Sequence, residues 1–233
     1  MTPTEVHALL AENSDRRGQA HWAKRYADSP LTSHGIGLTK LRKLAKQVGR
    51  NHQLSAQLWQ SDVYDARVVA LLIAEPGKIT RAQAEAQVDQ LGHGQLEHVF
   101  ASCDASLAKV SWVAELAESW VLDGDAVRRR CGYGLIYELS KSKKKSAPDP
   151  DWFSRWVCHI DDCRDDADPD ELLAMASALM GIGKRSAQLN FEAIGVARAI
   201  GPVDFDPTGA CDPFDAVKHL DSDWLKKKLG ITR

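Results

Sequence analysis

Basic residues recur where helices are predicted to begin and in the loops that join them. They are Lys40, Arg42, Lys43, Arg67, Arg128, Arg129, Arg130, Lys184 and Arg185. Ammonium and guanidinium groups bind phosphate oxygens, and such contacts give affinity for a nucleic acid without preference for its sequence. Most surface lysines and arginines serve only solubility, but paired helices that curl into a superhelix would collect these side chains on one face. The pattern therefore predicts a phosphate-binding surface.

Two of these basic groups leave alternatives open. Arg128, Arg129 and Arg130 cannot all face one groove, because successive residues of a helix are turned by about 100°. Lys184 and Arg185 lie at a predicted junction between helices. There they would bind phosphate, or they would instead complement the negative end of a helix dipole.

Other kinds of chemistry find little support in the sequence. It has no G-x-S-x-G nucleophile motif, no glycine-rich phosphate loop after a strand and no H-E-x-x-H zinc motif. Its five cysteines are scattered and include no C-x-x-C pair, so they predict neither a disulfide framework nor a zinc site. We therefore expect no metal and no other cofactor.

The elements that must position the basic residues are predicted to be helices. Apolar residues recur at helical spacing in short segments separated by Gly, Pro, Asn and Asp, including residues 3–28, 62–75 and 95–108. The one β-like segment, 203–205, lies in an irregular stretch at 202–217 that precedes a short terminal helix. Short paired helices are typical of helical-repeat proteins. The sequence thus predicts a single all-α domain that spans the whole chain.

The bulk composition limits the possible functions. The formal net charge is -2, from 30 lysines and arginines against 32 aspartates and glutamates, which excludes a uniformly basic DNA-coating protein. A basic face balanced by an acidic back is compatible with that charge, and we interpret the acidic stretch at 160–171 as solvated surface. The first residues are too polar for a secretory signal, and no apolar run approaches membrane-spanning length. We therefore expect a cytoplasmic protein.

Four segments carry a resemblance to a known family. They are GIGLTKLRKLAKQV (35–48), AVRRRCGYGLIYELSKSKK (126–144), GIGKRSAQLN (181–190) and IGPVDFDPTGACDPFDAVKHL (200–220). In order and spacing they resemble the entry helix, the arginine-containing helix with its basic loop, the I-G-K-R motif and the tail of one family. This is the DNA alkylation repair family of HEAT-like repeat alkylpurine DNA glycosylases. The likeness extends over most of the chain.

The resemblance implies a C-shaped, right-handed superhelix of HEAT-like helical pairs, whose basic concave face would grip duplex DNA through its phosphates. Active members excise N3- and N7-alkylated purines, and their cleft carries tryptophans, an aspartate and a nearby arginine. Departure of the cationic base builds positive charge on the sugar, which a carboxylate stabilises while it orients a water molecule. Indole rings favour the cationic base through cation–π contact.

The family's cleft residues carry over only in part. The arginine falls at Arg130. The tryptophan and the aspartate of the family's W-x-x-x-D fall at Leu96 and Phe100, and the second tryptophan falls at Ser177. The resemblance therefore implies that the carboxylate and the indoles have been replaced, and we expect Leu96 and Phe100 to pack in the core.

Two nearby acids would be substitutes for the missing carboxylate. Glu97 is one residue from the expected place, which is about 100° around a helix, so it would normally point elsewhere. A shift of four residues would instead place Asp104 on the same face. We prefer a degenerate site to either substitute.

Three functions are compatible with these observations. We favour a DNA-binding module, a monomer that has lost catalysis and binds double-stranded or branched DNA. Its candidate DNA-binding residues are Lys40, Arg42, Lys43, Arg67, Arg128, Arg130, Lys184 and Arg185. The first alternative is an active alkylpurine DNA glycosylase that uses Glu97 or Asp104. The second alternative is a helical-repeat scaffold that binds a protein partner.

Overall fold

Helices make up the regular structure of the protein. A computed structural model describes residues 1–92, 94–103, 105–205 and 212–231. Within those ranges the β-type pairing is confined to two isolated bridges, so the predicted all-α class is confirmed. No helix in the described part has the length and apolar character needed to cross a membrane. The chain divides into two compact units, Met1–Ser111 and Trp112–Arg233.

The first unit is built around one buried helix. Its helices are α1 (Pro3–Glu12), α2 (Arg16–Arg25), α3 (Leu38–Val48), α4 (His52–Trp59), α5 (Tyr64–Ile73), α6 (Arg81–Val88) and α7 (Leu96–Ala101). Helix α5 contacts α1, α3, α4 and α7, and eight of its ten residues are buried. A helix that is apolar on nearly all sides must be covered by neighbours, which explains its central place.

The second unit has two central helices that pack on each other. Its helices are α8 (Val113–Val121), α9 (Ala126–Ser140), α10 (Pro150–Cys163), α11 (Pro169–Ile182), α12 (Ala187–Ile200), α13 (Ala216–Leu220) and α14 (Asp223–Leu229). Helix α9 lies between α8 and α11, and α11 also contacts α12 and α13. The buried side chains Tyr133, Leu135 and Ile136 of α9 form much of this core.

Polar side chains determine where the helices begin. The residues whose side chains accept a hydrogen bond from the first turn of a helix are Thr2, Asp15, Asn51, Thr80, Asp125, Asp149, Asp168, Ser186 and Asp215. Such caps satisfy backbone N–H groups that have no partner within the helix. One cap corrects the sequence interpretation. Residues 3–28 form two helices rather than one continuous pattern, because Asp15 starts α2.

The loop before α3 approaches the start of α2 very closely. A methyl group added at Gly18 would lie 2.0 Å from the carbonyl oxygen of Gly35, so no larger residue fits at position 18 without displacement of the backbone. Gly35 itself has a φ of +72°, a left-handed conformation that glycine adopts without strain. This contact fixes the position of the loop from which α3 begins.

The segment predicted as one helix at 95–108 is shorter in the structure. Helix α7 ends at Ala101, and a single 3-10 turn follows at Leu107–Lys109. Between them Cys103 has a φ of +56°, which places a residue other than glycine in the left-handed region. This conformation is outside the right-handed helical region, so the helix cannot continue through Cys103 as the sequence predicted.

The segment at 202–217 is irregular at 202–205 and 212–215, and its last two residues, Ala216 and Val217, already belong to α13. Val203 and Phe214 pair through two backbone hydrogen bonds of 2.8 Å, so the β-like residues at 203–205 make one bridge rather than a strand. Residues 206–211 lie outside the described part of the chain. Two short helices, α13 and α14, follow where the sequence predicted one.

Candidate nucleic-acid interface

A buried carboxylate fixes the loop that leads into α3. Asp65 on α5 is fully buried, and its carboxylate accepts hydrogen bonds from the Ser33 hydroxyl at 2.8 Å, the His34 amide at 2.8 Å and the Ile36 amide at 3.1 Å. These three bonds replace the water that a buried carboxylate loses. Helix α3 begins two residues after Ile36, so Asp65 determines where its basic side chains lie.

Helix α3 is strongly two-sided. Leu41, Leu44 and Ala45 are buried against the unit, whereas Lys40, Lys43 and Lys46 are exposed, and the helix contains no acid. Arg42 is half-buried. The Lys40 ammonium group donates to the Asn13 carbonyl oxygen at 3.3 Å. The predicted residues Lys40, Arg42 and Lys43 are therefore brought together on one helix, with Lys46 beside them.

A basic cleft lies at the C-terminal end of α3. Its volume is about 400 Å³, and it is lined by Arg42, Ala45, Lys46, Gly49, Arg50, Leu72, Ile73 and Lys109. No acid is present among these lining residues. The Arg50 guanidinium donates to the Ala74 carbonyl and the Ser106 hydroxyl, which holds it in place. Part of the positive charge offsets the negative carbonyl ends of α3 and α5. The lining also includes the apolar residues Ala45, Leu72 and Ile73.

Helix α2 is a second basic helix, and the sequence analysis did not predict its cations as DNA-binding residues. Arg16, Arg17, Lys24 and Arg25 are exposed, and no acid lies between residues 16 and 25. The signal was present in the sequence as four cations within ten residues. Because residues 3–28 were interpreted as one helical pattern, α2 was not recognised as a separate basic element.

Arg67 is directed into its own unit. The side chain is half-buried, and its Nε donates to the Ser61 carbonyl oxygen at 2.8 Å. Its guanidinium lies 5.3 Å from the centre of the Trp59 ring, a cation–π contact. Burial lowers the pKa of Arg67 from its ordinary value, and the nearby Asp62 opposes that shift. These contacts hold Arg67 against Trp59 within the first unit.

The three arginines of α9 differ in their partners. Arg129 forms two hydrogen bonds with the carboxylate of Glu171, at 2.7 and 2.8 Å, and the Glu171 side chain is only 5% exposed. That carboxylate raises the pKa of Arg129. Arg130 is 18% exposed and lies 4.0 Å from the carboxylate of Asp168, the residue that caps α11. Arg128 is half-buried.

The neighbouring residues Lys184 and Arg185 have different surroundings. The Arg185 guanidinium donates to the carbonyl oxygens of Ser140 at 2.7 Å and Ser142 at 3.1 Å, and it lies 4.3 Å from the Phe153 ring centre. Since Ser140 is the last residue of α9, Arg185 complements the negative end of that helix. Lys184 is half-buried, and its pKa is lowered by burial and by the nearby charge of Lys228.

The positions of the family's catalytic residues hold no carboxylate where they are described. Leu96 and Phe100 are buried in α7, Ser177 is half-buried in α11, and Glu97 is half-buried on the turn between the first two. Asp104 lies outside the described residues. Across the described ranges, no three His, Cys, Asp or Glu side chains are grouped in a way that would hold a metal ion.

Comparisons with known proteins identify the fold and the family of the chain. A solved structure described as "a new family of proteins related to the HEAT-like repeat DNA glycosylases with affinity for branched DNA structures" is similar to the chain, with a TM-score of 0.79 and 19% identity. The match covers 100% of this chain and 98% of that one, and it confirms the fold of HEAT-like helical repeats. No curated protein matches significantly. A model of the DNA alkylation repair enzyme family matches residues 6–200. The chain therefore belongs to the DNA alkylation repair enzyme family.

Proposed function

We propose that the protein binds DNA through the phosphate backbone and does not cleave glycosidic bonds. One observation carries the proposal: α3 and the basic cleft collect cations, while the family's tryptophan and aspartate positions hold buried Leu96 and Phe100. A buried leucine and phenylalanine can neither orient water nor stabilise a sugar cation. What remains of the family's chemistry is affinity for the negatively charged backbone.

We divide the basic residues into those that bind phosphate and those that pack within the protein. In the first unit we assign phosphate contacts to Lys40, Arg42, Lys43, Lys46 and Lys109. In the second unit we assign them to Arg128, Arg130 and Lys184. We assign Arg67 and Arg185 to packing, because each donates to backbone carbonyl oxygens of its own unit and covers an aromatic ring.

The preferred DNA is proposed to be branched. The similar solved structure is described as having affinity for branched DNA structures, and its fold extends over the whole of this chain. Contacts to phosphates position a protein on DNA without reading bases, so a preference must come from the shape of the nucleic acid. We propose that the protein acts as a cytoplasmic monomer, as its sequence predicts.

The double variant Lys43→Ala/Lys46→Ala tests the phosphate contacts. We expect the Kd for a fluorescein-labelled three-way junction to rise about tenfold at 100 mM NaCl. The slope of log K against log salt should fall by roughly 1.8, because each lost phosphate contact removes about 0.9. Fluorescence anisotropy between 50 and 200 mM NaCl measures both quantities.

A matched control removes two cations of the first unit that lie outside α3 and are not among the residues that line the basic cleft. Lys78 forms an ion pair with Glu75, and Arg81 forms one with Glu85, each within three or four residues along the chain. The Lys78→Ala/Arg81→Ala variant should keep the wild-type slope. Equal losses in the two double variants would count against α3 as the contact surface. If the wild-type protein does not bind DNA at moderate salt, the DNA-binding proposal is wrong and a protein-binding scaffold is favoured.

A glycosylase with a displaced carboxylate is the second candidate function. The observation in its favour is the left-handed backbone of Cys103, immediately before Asp104, because strained residues concentrate at functional sites. We nevertheless expect no release of 3-methyladenine or 7-methylguanine from methylated DNA above the rate without protein, even at a tenfold excess of protein over lesion sites. Chromatography of the free bases measures the release.

Release by the wild-type protein would overturn this expectation. Glu97→Ala and Asp104→Ala would then identify the carboxylate, since only the variant that lacks it should lose release. Asp89→Ala is the control, because Asp89 is an exposed acid of the same unit.

A further inference from the structure

The C-terminal helix α14 presents an indole ring to solvent. Trp224 is 68% exposed, although tryptophan has the largest apolar side chain and is usually covered. The ammonium group of Lys228, one turn later, lies 5.1 Å from the centre of the ring. Helix α14 is anchored by Leu225, which is fully buried. It lies beyond residues 6–200, the range that the family model matches.

The loop after α11 is held against the end of α13, just before α14 begins. Asn190 on α12 donates to the carbonyl oxygens of Gly183 and Leu220, both at 3.1 Å, and so ties the loop after α11 to the end of α13. A methyl group added at Gly183 would lie 2.6 Å from Cδ2 of Leu220, so the two segments pack closely here. Lys184 follows Gly183 in this loop, and burial and then the charge of Lys228 lower its pKa.

Two acids, Asp221 and Asp223, precede Trp224 in the chain. Asp223 lies in the first turn of α14, where a negative charge complements the positive end of the helix. Asp221, at the end of α13, accepts from Lys226 at 2.6 Å and pairs with Arg198 at 3.6 Å. Lys227 and Lys228 are both exposed. Two exposed lysines one turn after an exposed indole make a cationic surface with an aromatic centre, which a polyanion with flat aromatic rings complements.

We propose that Trp224, Lys227 and Lys228 form a binding site for single-stranded DNA, in which the indole stacks on an unpaired base and the lysines bind the flanking phosphates. Sites of this kind combine aromatic platforms with positive charge, and they tolerate any sequence because every base has a π-face. In a duplex the base faces are covered by their neighbours. The inference rests on the proposed function and adds the unpaired arm of a branch as the ligand class.

The test compares three DNA probes with the full-length protein. They are a blunt duplex, the same duplex with an unpaired fifteen-thymidine arm, and the thymidine arm alone. We expect Trp224→Ala to raise the Kd for the armed duplex and for the free arm by about fivefold to a hundredfold, the range of base–aromatic stacking. The Kd for the blunt duplex should be unchanged. Trp224→Phe should restore most of the loss, because phenylalanine also stacks.

Phe191 supplies the control, since it is 77% exposed on α12 of the same unit. Phe191→Ala should bind all three probes like the wild-type protein, and circular dichroism should show that each variant stays folded. If Trp224→Ala binds the armed duplex and the free arm as tightly as the wild-type protein, the inference is wrong. If the wild-type protein binds neither the blunt duplex nor the three-way junction, the proposed function is wrong, and the free-arm result alone decides this site.

Discussion

We expect the replacement of Arg129 by alanine to lower the free energy of unfolding by about 3–5 kcal/mol. This is the cost of removing one partner of a buried ion pair and leaving the other charge unpaired. Glu171 is nearly inaccessible, and both of its oxygens accept from the Arg129 guanidinium. Without Arg129 the carboxylate stays buried with no opposite charge. The same guanidinium also donates hydrogen bonds to the carbonyl oxygens of Asp123 and Gly124, just before α9. Urea unfolding followed by circular dichroism measures the loss.

Two further variants separate the charge effect from the loss of packing. Arg198→Ala breaks an exposed ion pair of the same unit, and we expect it to cost less than about 1 kcal/mol. Arg129→Met/Glu171→Leu removes both charges and fills the space with apolar atoms, so it should recover most of the stability that Arg129→Ala loses. If the double variant is no more stable than Arg129→Ala, the buried carboxylate is not the cause of the loss.

The arginines of α9 show where sequence reasoning stops. Their splay around the helix was predictable, because it depends only on helix geometry. Which of them faces inward was not, since the partner of Arg129 lies 42 residues along the chain on α11. The choice of Arg130 came from the family resemblance, and the structure leaves it 18% exposed beside Asp168. Long-range pairing of this kind has no local pattern that a single sequence displays.

The basic face of α3 was predictable for the opposite reason. Its buried and exposed residues alternate with the helical period over eleven residues, and the cations are local to that helix. The class of fold followed from the same period and from the Gly, Pro, Asn and Asp breaks. The division of residues 3–28 was missed because Asn13, Ser14 and Asp15 interrupt a pattern that is helical on both sides. The role of Arg67 depends on a backbone carbonyl oxygen, which the residue types do not reveal, whereas the helix-end role of Arg185 was one of the two alternatives that the sequence left open.

The buried Asp65 carboxylate connects stability to DNA binding. We expect Asp65→Ala to lower the free energy of unfolding by about 3–5 kcal/mol, because it leaves the Ser33 hydroxyl and the amides of His34 and Ile36 without their acceptor. Asp65→Asn keeps one acceptor oxygen and should lose about half as much. Urea unfolding gives the free energies, and hydrogen exchange should show faster exchange at the two amides.

The same variant should weaken DNA binding, although electrostatics alone predicts the reverse. Removing a negative charge from a DNA-binding protein strengthens its attraction to phosphates. The loop that Asp65 holds leads directly into α3, however, so its release displaces the lysines that we assign to the backbone. Asp62→Ala removes an exposed acid three residues earlier and should bind the three-way junction as tightly as the wild-type protein or slightly more tightly. If Asp65→Ala also binds more tightly, then charge outweighs the position of α3, and α3 is not the element through which the protein holds DNA.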